Sequence, residues 1–109
     1  MNALELLHEV TAKNAQIRTD GVKLFVALPP ELNTELVIKS IRDQKQELVR
    51  ILRRVVLTFT LEDYKGGVYL SGPGDSLRAC IDQLVERYGT RLVKVTHHGV
   101  VVYQRATKN

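Results

Sequence analysis

The 109 residues predict an α+β fold: a helix-hairpin-helix-helix unit over residues 1–52, then a small ββαββ unit over 53–109 with one helix on an antiparallel sheet. Three observations carry that expectation. Apolar residues recur at intervals of three and four in 3–13 and 77–88, but alternate with a period of two in 22–28 and 55–61. The turn dipeptides Asp20-Gly21 and His98-Gly99 fall between runs of strand character. Charge also divides at Leu52, with seven basic and seven acidic side chains before it and nine and five after it. The whole net charge of +4 therefore belongs to the second half.

Asn2 and Glu5, three apart, form a capping box for a helix from about Ala3 to Lys13. Ala3, Leu6, Leu7 and Val10 line one face with Leu4 beside them, and Asn14 closes the helix. Gln16 to Thr19 reads as a short strand, and Asp20-Gly21 as a tight hairpin turn. In the returning strand, Val22 to Leu28, the residues Val22, Leu24, Val26 and Leu28 share a face while Lys23 and Phe25 take the other. On pattern alone Phe25 reads as a core residue. Pro29 and Pro30 lack ladder donors and stop the sheet. Asn33 or Thr34 caps a short helix carrying Leu36, Val37, Ile38 and Ile41. Asp43 and Gln46 then form a second capping box for a third helix, with Leu48, Ile51 and Leu52 as its stripe.

About fifty residues hide a core only marginally, which makes a partner surface physically attractive. The run Met1–Leu52 resembles the TubC N-terminal docking domain family. The likeness rests on the leucine-rich first helix ending near Asn14, Gly21-x-x-Leu24 in the hairpin, Ala27-x-Pro29-Pro30 at its exit, Leu32-x-Thr34, and Lys45-x-x-Leu48 with Leu52. That resemblance implies a homodimeric docking module whose hairpin captures the acidic C-terminal tail of another protein. It places the partner-binding surface near Arg18, Lys23 and Phe25, with Lys39 or Arg42 from the neighbouring helix. A hairpin edge can accept an added strand, and basic side chains steer an acidic one and fix its register. Docking domains of this family precede long synthetase chains. In 109 residues the interaction, rather than the assembly-line chemistry, is the property expected to transfer.

In the second half, Arg53 and Arg54 lead into the strand Val55–Leu61, whose Leu57, Phe59 and Leu61 share a face. Glu62 to Gly67 reads as a polar turn and Val68 to Ser71 as the strand paired back onto the first. Gly72-Pro73-Gly74 breaks the chain before a helix capped by Asp75 or Ser76. Its apolar face is Leu77, Cys80, Ile81, Leu84, Val85 and Tyr88, with Gly89 as C-cap. Strands at Arg91–Thr96 and Val100–Arg105 flank His98-Gly99, and the last four residues are expected to fray. No Pro/Gly-rich linker separates the halves, so the second unit is expected to pack on the first.

Composition and motifs exclude most chemistry. With 44% hydrophobic and 26% charged residues the chain is globular rather than disordered, and no apolar run approaches a membrane span. Its first dozen residues do not resemble a signal peptide, so the expected location is cytoplasmic. One cysteine allows no internal disulfide, and Cys80 reads as a buried thiol. Gly72-Pro73-Gly74-Asp75 lacks the lysine and hydroxyl of a phosphate loop, and Asp75 would repel phosphate. His97 and His98 point apart and His8 is remote in sequence, so no metal site is expected. Glu62 and Asp63 read as a solvated turn. No enzyme and no cofactor is expected. The rival to docking is a small nucleic-acid-binding protein using Arg53, Arg54, Arg91, Lys94 and Arg105, with Arg78 and Arg87 nearby and Tyr69 and Tyr103 for stacking.

Overall fold

In the computed structural model, which describes residues 1–106, the first capping box forms as expected. The Glu5 amide donates to the Asn2 side chain at 2.8 Å, and the Glu5 carboxylate accepts from the Asn2 amide, opening α1 (Ala3–Ala12). Asn14 closes it in the left-handed region (φ 71°). Strands β1 (Gln16–Thr19) and β2 (Leu24–Ala27) pair antiparallel as a separate two-stranded sheet. The hairpin loop is four residues rather than two, because the Asp20 carboxylate accepts from the amides of both Val22 and Lys23 and holds them outside the ladder. Val22 is therefore a solvent-facing loop residue, not the first member of the strand's apolar face.

Pro30–Leu32 makes one 3-10 turn after the proline break, and Thr34 then caps α2 (Glu35–Asp43). The second predicted capping box does not form. Asp43 lies in the last turn of α2, and Gln44 alone separates that helix from α3 (Lys45–Leu52), so the Asp43 carboxylate never reaches a cap position.

Four strands make the second sheet: β3 (Val55–Leu61), β4 (Tyr64–Ser71), β5 (Leu92–His97) and β6 (Val100–Gln104). Their order is β4-β3-β5-β6, with every pairing antiparallel. α4 (Leu77–Tyr88), capped by Ser76 rather than Asp75, packs on one face. β4 begins at Tyr64, four residues before the expected Val68. The stretch Lys65-Gly66-Gly67 reads as a turn but serves as an irregular strand. A Cβ on Gly66, at φ 125°, would sit 2.0 Å from the Phe59 carbonyl oxygen, and one on Gly67 2.8 Å from the Phe59 ring. These glycines are present for Phe59. The β5–β6 turn is tight, with His98 and Gly99 both at positive φ. Of the end expected to fray, 107–109 lie outside the described residues.

One core joins both halves. Leu7, Ile17, Leu48 and Leu52 from the first belong to the same buried cluster as Val55, Leu57, Ile81 and Leu84 from the second. Polar ties reinforce the seam: the Ser76 hydroxyl donates to the Gln16 side chain, and Arg53 Nε donates to the Gly21 carbonyl at 2.9 Å. Among the described residues no helix is long and apolar enough to cross a membrane.

Candidate functional site

Strand β2 uses one edge to pair with β1 and, among the described residues, leaves the other unpaired. Its inward alternates meet α2 imperfectly. Leu24, Val26 and Leu28 from the hairpin side and Ile38 and Ile41 from α2 enclose an open groove of about 530 Å³ instead of closing on one another. Arg42, Lys45 and Asn33 complete the lining. The groove thus has an apolar floor, two cations and no carboxylate. Neither cation is in an ion pair among the described residues.

The partner-binding residues expected from the sequence divide between two faces. Arg42 lines the groove. Arg18 and Phe25 are cross-strand neighbours on the opposite face of the hairpin, with the Arg18 guanidinium 4.3 Å from the centroid of the Phe25 ring. Phe25 is exposed rather than part of the core, because it shares the face of Arg18, whereas Leu24 on the other face of β2 packs against the core. Lys23 sits in the hairpin loop, and Lys39 is exposed on α2 without lining the groove. Sequence reasoning missed Lys45 and the apolar floor. The signal was present: a two-stranded hairpin with apolar Leu24, Val26 and Leu28 on one face cannot bury them against its own partner strand.

The proposed nucleic-acid residues do not converge. Arg53 and Arg54 precede β3, whereas Arg91 and Arg105 flank its far end, roughly 20 Å away at the rise of an extended strand. Arg91 makes a forked ion pair with Asp63, whose carboxyl it holds below the ordinary range. Arg105 pairs with Glu62 at 3.1 Å and donates to the Thr90 carbonyl. Glu62 and Asp63 are thus the partners of two arginines. Lys94 stands alone on β5, opposite Thr60 and Gln104. Tyr69 and Tyr103 lie on the covered face, opposite Leu57 and Val95, so neither is a stacking platform on the open face. Tyr69 donates to Gln83 on α4.

No family profile, curated protein or solved structure matches this chain.

The structure does bring together two histidines that the sequence kept apart. His8 Nε2 on α1 and His97 Nδ1 at the end of β5 lie 2.7 Å apart, within hydrogen-bond distance across 89 residues of chain. His97 is fully buried, and its Nε2 finds no partner among the described residues. Burial, with the neighbouring His98 and His8, lowers its pKa to about 4. Burial lowers that of His8 as well. Among the described residues no cluster of three His, Cys, Asp or Glu side chains is arranged to hold a metal ion. Cys80 is buried, and burial pushes its thiol pKa up, away from nucleophilic use.

Proposed function

We propose that the chain is a non-catalytic docking or adaptor module that captures a short acidic tail of a partner protein along β2, in the groove bounded by α2. One observation carries the reading: an unpaired strand edge, an apolar trough and two cations without an ion pair coincide among the described residues, with no carboxylate in the lining. An added peptide strand would satisfy the β2 edge with main-chain hydrogen bonds. Its alternate side chains would enter the trough, and its carboxylates would meet Arg42 and Lys45. Lys23 and Lys39 lie outside the groove and steer the approach. The Arg18–Phe25 stack stiffens the hairpin from behind. The resemblance of residues 1–52 to the TubC docking domain supports the same reading. It also supports a dimer of the chain, for which the exposed Leu36 on α2 is an available apolar residue.

The test uses the full chain and a labelled ten-residue peptide of alternating leucine and glutamate with a free C-terminus. Reversing both groove cations (Arg42→Glu with Lys45→Glu) should weaken binding about tenfold or more while leaving the unfolding midpoint in place, since both residues are exposed. Unchanged affinity refutes the groove as the capture site.

A further inference from the structure

The four-stranded sheet has two unlike faces. α4 covers the one formed by Val55, Leu57, Phe59 and Val95, all buried. Strand register places Val56, Val68, Leu70 and Val101 on the other, which no element of the described chain covers. Antiparallel sheets with one solvated face ordinarily alternate apolar inward and polar outward. Here the outward aliphatics remain 62% exposed at Val68, 59% at Leu70, 48% at Val101 and 38% at Val56. Between them stand Thr58, Thr60 and Thr96, β-branched residues whose hydroxyls tolerate either water or a packed neighbour. The resulting apolar patch, on the order of 300 Å², is comparable to the largest exposed patch of a typical monomer, which is often a functional surface.

We propose that this outward face is a second docking surface, and that its occupant is an amphipathic helix of another protein whose apolar stripe is flanked by carboxylates. Charge selects the occupant. Lys94 lies within the face and Arg54 adjoins its end, and neither is in an ion pair among the described residues. The outward positions of the four strands hold no carboxylate, and Glu62 and Asp63 in the β3–β4 turn are engaged by Arg105 and Arg91. A second copy of this chain laid face to face would bring no carboxylate on that face to meet Lys94 or Arg54. A nucleic-acid strand would find cations but no outward aromatic ring, because Tyr69 and Tyr103 turn to the covered side.

Shape selects a helix. Three interstrand spacings make a surface about 14 Å wide and, at strand rise, about 20 Å long. A helix about 10 Å across and three to four turns long matches it. The sheet already accepts such an element on its other side, where α4 has 12 residues. The surface is distinct from the groove beside β2, so the chain would join two partners rigidly through one core.

The experiment titrates the full chain with a labelled 14-residue peptide carrying leucines at helical spacing and glutamates on both flanks. A lysine-flanked peptide and a scrambled peptide of the same composition serve as controls. Amide chemical-shift changes are expected on β3, β4 and β5, with helix induced in the glutamate peptide. Leu70→Glu should abolish binding at least tenfold and Lys94→Glu weaken it several-fold, each with an unfolding midpoint close to wild type because the positions face outward. Leu70→Glu should leave the affinity for the extended acidic tail at Arg42 and Lys45 unchanged, so the two readings fail separately. No binding of the glutamate peptide at millimolar concentration overturns the proposal, as does equal binding of the lysine-flanked or scrambled control. Shifts confined to the β2 groove, a Leu70-dependent homodimer, or Leu70-dependent oligonucleotide binding would each overturn it too.

Discussion

Lowering the pH from 7 to 5 should weaken the fold chiefly through the buried His97. Its imidazole is fully buried against the His8 ring and has a folded pKa of about 4, against 6.5 in the unfolded chain. Between those values the unfolded state binds a proton that the folded state refuses, so stability falls as pH falls. The loss begins near pH 6.5, grows by at most about 1.4 kcal/mol per pH unit, and levels off below the folded value. At pH 5 it amounts to about 2 kcal/mol and at full development to about 3 kcal/mol. Domains of this size are stable by about 5–15 kcal/mol, so the change is a substantial fraction of the whole. The lowered pKa of His8 acts in the same direction. The carboxyls held below their ordinary range, Asp20 and Asp63, lose their contribution only at more acidic pH, which leaves the window from 5 to 7 to the histidines. Urea titrations followed by circular dichroism at pH 7, 6 and 5 measure the effect. His97→Leu should flatten the profile. A wild-type stability constant within about 0.5 kcal/mol across that window, or the same decline in His97→Leu, refutes the reasoning.

Gly66→Ala should cost about 2 kcal/mol or more, because the added Cβ would collide with the Phe59 backbone at a positive φ; an unchanged denaturation midpoint would show that the β3–β4 irregularity adjusts freely. Leu52→Ala, at a fully buried junction position, should cost 2–5 kcal/mol, read from the shift in urea midpoint. All four tyrosines lie in the second half, whereas three of the four α-helices lie in the first. Tyrosine fluorescence and far-ultraviolet circular dichroism should therefore unfold at one midpoint, and two separated transitions would contradict the shared core. Ser76→Ala removes both the α4 cap and the tie to Gln16 and should cost about 1–2 kcal/mol.

What the sequence made legible was local. The Asn2–Glu5 box, the Val55–Leu61 alternation, the 77–88 periodicity and the His98-Gly99 turn all depend on residues close together in the chain, and their spacing alone specifies them. The errors arose where a competing interaction reassigned a local signal. Lys65-Gly66-Gly67 has turn composition, but its glycines make room for Phe59 on the preceding strand. Asp20-Gly21 has the composition of a two-residue turn, yet the Asp20 carboxylate gathers two further amides and widens the loop. Asp43 and Gln46 have cap spacing, but α2 runs on through Asp43. The candidate groove was half legible, as an apolar surplus on β2, while its second wall belongs to α2 and its second cation to the first turn of α3. The His8–His97 pair had no local signature at all.

The excess of positive charge carries a different meaning once its partners are known. By sequence it made the second half a candidate for nucleic acid. In the structure Arg78, Arg91 and Arg105 are committed to Asp82, Asp63 and Glu62, and Arg53 also donates to the Gly21 carbonyl. The cations left without an ion pair among the described residues include Arg54 and Lys94 on the open sheet side and Arg42 and Lys45 beside the groove. Each pair adjoins exposed aliphatic side chains rather than outward aromatic rings. A phosphate backbone needs many cations along a track, and two isolated pairs would give a shallow salt dependence. A peptide needs few, placed where an apolar surface already holds it, since charge there sets orientation and approach while buried area supplies affinity. The arrangement therefore suits proteins with acidic, apolar-patterned segments. The sharpest consequence is that an oligonucleotide titration at low salt should stay flat over the concentration range in which both acidic peptides bind.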